Sequence, residues 1–163
     1  MNQTIRHGLP LLAAAQAQKE ITHNEALLAI DRRLQIAVST RGSNVAPAAP
    51  VAGECHIVGM APTGVWAGHA DAITMHDGFG WQFTTAHTGF VAYVADIGVL
   101  AIYDDGWQAD ALPVAALRIG GRMVLGAPLA NVQAPSSGSI VDAEIRIAFA
   151  ALLATLTEQG VIG

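Results

Sequence analysis

Short runs of β-favouring residues alternate with glycine-containing turns through the middle of the chain, across residues 53–108. Consecutive runs begin about ten residues apart, which is the spacing of short strands joined by tight turns. This pattern predicts a meander of short antiparallel strands. A further hairpin is predicted where two apolar runs flank Gly120 and Gly121. The predicted strands cover residues 56–58, 72–75, 81–84, 91–94, 99–103, 114–119 and 122–125.

A first helix is predicted before the strands, over residues 22–38. Thr22 and Glu25 have the spacing of a capping box, in which each side chain accepts a hydrogen bond from the backbone N–H of the other residue. Apolar residues then recur at intervals of three and four, which indicates one apolar face along the helix. These residues are Leu27, Ile30, Leu34 and Ala37.

A second helix is predicted at the C-terminus, over residues 139–163. Ser139 is placed to be its N-cap, and Asp142 adds a negative charge in the first turn, where the helix dipole favours it. Both predicted helices are too short to be stable alone in water, so each apolar face must pack on another copy of the chain or on the chain's own strands. The apolar face of this second helix consists of Ile145, Phe149, Leu152 and Leu156.

Residues 1–21 are predicted to form an extended docking arm. Its apolar residues Leu9, Leu11 and Leu12 form no helical stripe that a local core would bury. An apolar segment of this kind is suited to binding the surface of another protein. We therefore expect the arm to dock on a partner protein or on a neighbouring subunit.

Two segments rich in Pro, Ala, Gly or Ser are predicted to be linkers, at residues 39–52 and 129–138. Between them lies a small antiparallel β-domain, predicted at 53–128. The chain is thus predicted to be an α+β protein, in which this β-domain is flanked by the arm and first helix on one side and by the C-terminal helix on the other.

Composition changes this picture in one respect, because the chain is poor in charged residues. They make up 13% of it, about half the usual share, while 52% is hydrophobic. Some apolar surface is therefore expected to be buried against other chains.

A net charge of −5 and scattered Lys and Arg argue against nucleic-acid binding. We recognise no signal peptide or membrane span, so we predict synthesis in the cytoplasm and no membrane contact.

Three segments of the chain together carry a recognisable family pattern. The first is GLPLLAAAQAQKEITHNEALLAIDRRLQIAV, the second contains HIVG, TGVWAGH, GWQF and DGW in that order, and the third is SIVDAEIRIAFAALLATLTEQGVIG. In this pattern the chain resembles the DUF2793 family over nearly its whole length. Proteins of that family are encoded among the structural genes of tailed phages, prophages and gene transfer agents, and look like head-spike or fibre components. The resemblance implies a virion protein and supplies no catalytic residues.

A group of His and Asp residues raises the question of a metal site. Zinc sites have characteristic ligand spacings, such as His-x-His or His-Glu-x-x-His, and none of them occurs here. We therefore predict polar turn residues at these positions, with no metal and no cofactor. The residues are His69, Asp71, His76, Asp77 and His87. The single cysteine, Cys55, lies in a predicted strand and is expected to be a small buried hydrophobic residue.

Several aspartates could supply the paired carboxylates of a glycoside hydrolase. They are Asp96, Asp104, Asp105 and Asp110. The Asp-Asp-Gly string at 104–106 is, however, typical of a hairpin turn, and the chain has no Gly-x-Ser-x-Gly motif. We assign no catalytic residue and predict that the protein is not an enzyme.

The three tryptophans are candidates either for the core or for ligand contacts. Trp81 and Trp107 alternate correctly with their strand neighbours, which favours the core. Trp66 and His69 instead lie in a glycine-bearing loop, and loops often carry binding residues. We therefore take Trp66 and His69 as candidate contacts for a host surface polysaccharide, with a core position as the alternative for Trp66.

The sequence and the resemblance together predict a structural component of a tailed-phage or gene-transfer-agent-like particle, acting as a head spike, fibre or fibre base. It is expected in the virion, in assembly and host-surface attachment. Its partners would be capsid, portal, tail or fibre proteins and further copies of itself, in a homotrimer held by the apolar faces of the two helices. The alternative is a carbohydrate-binding module or a polysaccharide-degrading enzyme of the particle.

Overall fold

The chain divides into two compact units, Met1–Leu112 and Pro113–Gly163. Helices and mostly antiparallel strands give it the α+β class predicted from the sequence. Within the part of the chain that the structure describes, the helices are too short or too polar to cross a membrane. The structure is a computed structural model that describes residues 2–13, 19–109, 111–126, 142–158 and 161–162.

Two four-stranded sheets form most of the unit Met1–Leu112. In chain order, its strands are β1 (Ala37–Val38), β2 (Thr40–Ser43), β3 (Cys55–Val58), β4 (Ile73–His76), β5 (Trp81–Thr84), β6 (Val91–Val94), β7 (Val99–Tyr103) and β8 (Trp107–Gln108). One sheet has the strand order β1-β6-β7-β8, and the other has the order β2-β3-β4-β5.

The predicted antiparallel meander is confirmed for β3 to β5 and for β6 to β8. Its turns follow from local chemistry, as the turn between β4 and β5 illustrates. There the Asp77 carboxylate accepts hydrogen bonds from the N–H groups of Phe79 and Gly80, at 2.9 and 2.8 Å. Gly78 adopts a φ of 94°, which glycine tolerates best. The side chain and the glycine together close the turn.

Two strands pair in parallel where the sequence predicted the end of the first helix and a linker over residues 39–52. β1 pairs with β6 and replaces the end of the predicted helix, and β2 pairs with β3 and corrects the start of the predicted linker. β2 has the sequence Thr-Arg-Gly-Ser, which has no hydrophobic alternation. Its pairing is explained by its neighbour β3, because all four residues of β3 are buried and a buried strand must hydrogen-bond on both edges.

The core of this unit is built from both sheets. Trp107 and Cys55 are buried in it, as the sequence predicted, whereas Trp81 is only half-buried on β5. The buried residues that form the core are Ile36, Val38, Cys55, Ile57, Ile73, Met75, Ala86, Ala92, Val94, Ala101 and Trp107. Because these residues lie on β1 to β8 and their connections, the core positions the loops that follow the strands.

The first helix, α1, covers Lys19–Arg33, whereas the sequence predicted a helix over residues 22–38. Thr22 lies inside α1 and does not cap it, because Lys19 and Glu20 before it are good helix formers. At the other end, Gln35 has a positive φ of 42° and ends the helical path. Ala37, which was assigned to the apolar face of the helix, belongs to β1.

The C-terminal end of α1 is capped by the side chain of Arg6. Its guanidinium donates hydrogen bonds to the carbonyl oxygens of Asp31, Arg32 and Gln35, at 3.3, 3.5 and 3.1 Å. Carbonyls in the last turn of a helix have no partner within the helix, so this contact satisfies them and adds a positive charge where the dipole favours it.

The described part of the arm, residues 2–13, is a loop closed on itself, which corrects the prediction of an extended segment over residues 1–21. Thr4 N donates to Leu9 O, and Leu11 N donates to Asn2 O, both at 2.9 Å. The Asn24 side chain on α1 then binds the backbone of Leu12 through both its oxygen and its nitrogen. The arm is therefore attached to the helix of its own chain.

Asp31 on α1 is the centre of the contact between the arm and the helix. Its buried carboxylate accepts hydrogen bonds from Thr4 Oγ1, Arg6 N and His7 N, at 2.8, 3.0 and 2.9 Å. The Nδ1 atom of His7 lies 3.0 Å from the same carboxylate. Because Asp31 makes no comparable contact with the strands, its main structural role is to hold the arm.

The unit Pro113–Gly163 contains the predicted hairpin, with strands β9 (Leu117–Ile119) and β10 (Arg122–Leu125). The two strands are antiparallel. Gly120 and Gly121 form the turn between them with positive φ values of 56° and 78°, as a two-residue hairpin turn requires. The hairpin therefore belongs to this second unit and not to the predicted β-domain at 53–128.

The second helix, α2, covers Ala143–Glu158. Its N-cap is Asp142, whose Oδ1 accepts a hydrogen bond from Ile145 N at 2.9 Å. The sequence predicted Ser139 as the cap, and this residue lies outside the described residues, as does the linker predicted at 129–138. A short acceptor side chain two or three residues before a helical N–H is what an N-cap needs, and Asp142 meets this requirement.

Candidate functional site

Trp66, one of the two predicted glycan contacts, is an internal anchor and not a surface residue. It ends the short 3₁₀ turn Gly64–Trp66, and its exposed fraction is 0%. Its ring lies 5.1 Å from the ring of Trp81, edge to face, and 5.5 Å from that of His56. A fully buried indole cannot stack on a sugar, so this prediction is wrong. Trp66 instead fixes the loop that follows it.

His56 on β3 sits at the centre of a hydrogen-bonded network. Its Nδ1 lies 2.8 Å from Thr40 Oγ1, and its Nε2 lies 3.0 Å from Glu54 Oε1. The hydrogen bond from Val51 N is the main reason that the pKa of Glu54 lies below its ordinary value, and His56 lowers it further against the opposing effect of burial. The carboxylate is therefore charged at neutral pH and orients the imidazole.

The order hydroxyl, imidazole, carboxylate is also that of a hydrolase triad. Here the imidazole of His56 is buried, and the rings of Trp66 and Trp81 both lie within 5.8 Å of it. The two indoles therefore occupy the space beside the imidazole. The geometry of this network supports a role in ordering the strands under the loop.

His69, the second predicted glycan contact, lies at the surface on that loop. Its ring stacks on Phe83 with a centroid separation of 3.6 Å and an angle of 3° between the planes. Both rings line a cavity of about 240 Å³, together with Asp71, Thr85 and Tyr103. Flat aromatic surface beside hydroxyl and carboxylate groups suits a polyhydroxylated ligand.

The backbone of the His69 loop is held at a second point by Trp107. The Nε1 atom of Trp107 donates a hydrogen bond to the Asp71 carbonyl at 2.9 Å. Asp71 has a positive φ of 59°, a conformation that a fixed contact must stabilise. With Trp66 buried at one end and Asp71 held at the other, His69 is presented from a defined loop.

Sequence reasoning did not assign Phe83, Thr85 and Tyr103 to this cavity. Phe83 and Thr85 lie on or next to β5, and Tyr103 lies on β7, so they come from different sheets. Their approach depends on how the two sheets pack, and no local sequence pattern encodes this. The alternation of residues around Phe83 was the only sequence signal for this position. It shows on which face of the strand Phe83 lies, but not which residues of the other sheet lie opposite it.

The predicted interface residues on α1 do not form one continuous helical face. Leu27 is half-buried and Ile30 is exposed, but Leu34 follows the last residue of α1. The exposure of Ile30 and Leu34 leaves them accessible to another chain. Their role in an interface stays a prediction.

The predicted interface residues on α2 are more exposed. Ile145 and Leu152 are 65% and 52% exposed, and Phe149 and Leu156 are half-buried. Ile147 is 70% exposed, although it is two residues from Ile145 and hence on a different side of the helix. The hairpin adds further exposed apolar side chains, namely Leu117, Ile119, Met123, Val124 and Leu125.

Of the predicted docking residues in the arm, Leu9 and Leu11 are half-buried and Leu12 is exposed. The arm's contacts with Asp31 and Asn24 show that it has a local attachment site, which the sequence did not reveal. Binding of the arm to another protein stays a prediction. Among the described residues, no three His, Cys, Asp or Glu side chains are grouped as metal ligands.

The chain matches the model of the family DUF2793, whose description is a protein of unknown function, over residues 23–108. This segment begins within α1 and ends with β8, so it contains both sheets of the first unit. It is shorter than the resemblance over nearly the whole chain that the sequence indicated. No curated protein and no solved structure matches the chain. Because the matched segment makes up more than half of its residues, the chain belongs to the DUF2793 family.

Proposed function

We propose that the chain is a structural component of a tailed-phage or gene-transfer-agent-like particle, as a head spike, fibre or fibre base, and that it has no catalytic role. The observation that carries the proposal is the exposed apolar surface of α2 and of the hairpin β9–β10. Soluble monomers rarely expose apolar patches of this kind, so such surfaces mark sites of association. The family resemblance adds the context of a virion, made in the bacterial cytoplasm.

The helix α2 favours association with several neighbours over one-sided packing. Residues 147–157 carry no charge, and apolar side chains such as Ile145 and Ile147 project from different sides. A helix that is apolar all round is buried in the structure in which it functions. We propose a homotrimer in which α2 contacts further copies of itself, with capsid, portal, tail or fibre proteins as the other partners.

Light scattering on the purified chain tests this assembly. The mass should be about three times the chain mass of 16.9 kDa at micromolar concentration. Leu152→Asp should reduce the mass to that of one chain, because a buried carboxylate without a partner is costly. Thr157→Asp adds the same charge in the last turn of α2, next to Glu158 and outside the apolar stretch, and should leave the trimer intact. A wild-type monomer would contradict the trimer.

Particle composition tests the function itself. Particles purified from a producing strain should contain the chain in many copies, as measured by quantitative mass spectrometry. Absence of the chain from particles whose other structural proteins are detected would contradict the proposal. Turnover of a capsular polysaccharide by the purified chain, lost on Asp104→Ala, would instead support the enzymatic alternative.

A second candidate function, contact with a host surface polysaccharide, is favoured by the stacked rings of His69 and Phe83 beside the cavity. Binding to a glycan array should fall about fivefold or more on His69→Ala, since stacking contributes about 1 kcal/mol. His87→Ala is the matched control, because His87 is also exposed and also contacts a phenylalanine, Phe90. Equal binding by both variants would remove this site from consideration.

A further inference from the structure

A separate cavity of about 380 Å³ lies between α1, the arm and the strands β4 and β5. Its apolar wall is made by Ile5, Leu28 and Met75. Its polar wall has three charged groups, Glu25 and Arg32 on α1 and Asp77 at the end of β4. Cavities of this size, mostly apolar with a few polar groups, are typical of small-molecule sites.

Arg32 is the unusual member of this cavity. Its Nε atom is buried and has no hydrogen-bond partner among the described residues. Burial is the main reason that the pKa of Arg32 lies below its ordinary value, and the neighbouring charge of Arg33 lowers it further, with opposing effects from Asp77 and Asp31. A buried N–H donor without a hydrogen bond is unfavourable, because it loses water and gains no partner.

Two other arginines, one in the arm and one on α1, have guanidinium groups that donate hydrogen bonds to backbone carbonyl oxygens. Arg6 donates to three carbonyl oxygens at the end of α1. Arg33, the next residue after Arg32, donates to Ala29 O at 3.0 Å and is exposed. Of these three arginines, Arg32 is therefore the one with a buried donor that lacks a partner, and it is also the one that lines the cavity.

The carboxylate of Asp77 is already engaged and does not neutralise Arg32 by contact. It accepts hydrogen bonds from Phe79 N and Gly80 N at one oxygen and from Gln82 Nε2 at the other. Burial raises the pKa of Asp77, but these hydrogen bonds lower it by more, so the group is charged at neutral pH. The oxygen that binds Gln82 accepts only that one hydrogen bond, so it can accept another from a ligand.

We propose that this cavity binds a small carboxylate that also carries hydrogen-bond donors, with the carboxylate on Arg32 and the donors on Glu25 and Asp77. A guanidinium binds a carboxylate through two parallel hydrogen bonds. The two acidic side chains repel a doubly charged phosphate and accept hydroxyl or ammonium groups. The body of the ligand would pack on Ile5, Leu28 and Met75.

Calorimetric titration of the full-length chain with matched probes tests this site. D-glucuronate is compared with D-glucose, and L-leucine with isoamylamine, so that each pair differs by the carboxylate and the two pairs differ in hydroxyl or ammonium donors. We expect at least one carboxylate to bind about tenfold or more tightly than its partner probe. The pair of probes in which the carboxylate binds more tightly shows whether the site takes hydroxyl or ammonium donors. Equal affinity within both pairs, or no binding by either carboxylate, would overturn the proposal.

Variants at two adjacent arginines then locate the binding. Arg32→Gln should weaken carboxylate binding by about tenfold to a hundredfold. Arg33→Gln is the control and should change it less than about twofold. Arg32→Lys keeps the charge but loses the planar pair of donors, so it should give an intermediate loss and serves as the test if Arg32→Gln does not fold. Equal losses of carboxylate affinity in Arg32→Gln and Arg33→Gln would contradict the site. So would an Arg32→Gln protein that changes its oligomeric state while the wild type binds no ligand.

Discussion

Replacement of Asp31 by alanine should release the arm from α1. In the folded protein its carboxylate accepts hydrogen bonds from Thr4 Oγ1, Arg6 N and His7 N, at distances of 2.8 to 3.0 Å. Alanine offers none of these donors a partner. Because the arm has few other contacts with α1, apart from Asn24 and the Arg6 cap, we expect it to detach instead of remaining in place with buried, unpaired donors.

The magnitude of the loss follows from the same contacts. Hydrogen bonds to a charged group contribute about 1.5–3 kcal/mol each, and loss of one partner of a buried pair costs about 3–5 kcal/mol. Detachment of the arm allows its N–H groups to reach water, which limits the loss. We therefore expect Asp31→Ala to lower the free energy of unfolding by about 2–4 kcal/mol.

Two assays together check this prediction. Urea denaturation followed by tryptophan fluorescence gives the change in the free energy of unfolding. Limited trypsin digestion gives the rate of cleavage after Arg6, which should rise because its backbone no longer contacts α1. Asp96→Ala removes an exposed carboxylate from the same unit and should change neither quantity. An Asp31→Ala protein within about 0.5 kcal/mol of the wild type, with the same cleavage rate, would refute this account of the arm.

The same contact predicts a pH dependence. Burial alone would raise the pKa of Asp31, but the hydrogen bonds from Arg6, Thr4 and His7 outweigh it, so the pKa in the folded chain is below the ordinary value of 3.8. Folding therefore favours the ionised form. Its stabilising contribution is fully present above about pH 3.8 and is lost as the pH falls through the folded pKa. The stability difference between wild type and Asp31→Ala should be constant at neutral pH and decrease in stronger acid.

Three further substitutions test other parts of the fold, each by urea denaturation. Trp66→Ala should lower the free energy of unfolding by about 3–5 kcal/mol, because the indole is fully buried against Trp81; a loss below about 1 kcal/mol would contradict its role as an anchor. Gly59→Ala should cost more than about 2 kcal/mol, since a Cβ there would overlap the Asn44 side chain and neighbouring backbone, and a neutral result would contradict this packing. Asp142→Ala should reduce the helicity measured by circular dichroism and cost about 0.5–2 kcal/mol, and unchanged helicity would show that the cap is elsewhere.

The strands were predictable because their signals are local. Five runs of β-favouring residues between glycine turns correspond closely to β3 to β7, and Gly120 and Gly121 form the turn of the hairpin that they predicted. Alternation and turn chemistry act over two to four residues, so they can be recognised along the chain. β2 was missed because its polar sequence shows no alternation and its pairing depends on the buried neighbour β3.

The arm and the ends of the helices were not predictable in the same way. Asp31 contacts residues 24 to 27 positions away, and a contact at that distance leaves no periodic signal. The Arg6 side chain explains why α1 ends before the predicted residue 38. Its guanidinium binds carbonyl oxygens at the end of the helix, which allows Gln35 to adopt a positive φ and leave the helix. A capping motif such as that of Thr22 indicates a possible helix start, but good helix formers before it can extend the helix.

The candidate site was predicted in part. The loop that carries Trp66 and His69 was identified from its glycines, and His69 is indeed at the surface beside a cavity. Which aromatic residue of the loop points inward depends on the neighbours Trp81 and His56, and these come from other strands. Sequence alone could therefore locate the loop but not distinguish its anchor from its exposed residue.

Incorporation of two α2 variants into particles tests the central proposal most directly. Particles from strains that express the wild type, Leu152→Asp or Thr157→Asp as the only copy are purified, and the amount of the chain per particle is measured by mass spectrometry. We expect wild-type amounts for Thr157→Asp and a loss of at least tenfold for Leu152→Asp, because an uncompensated carboxylate in an apolar interface costs well over about 1.4 kcal/mol. Equal amounts of both variants in the particles would contradict assembly through the apolar surface of α2.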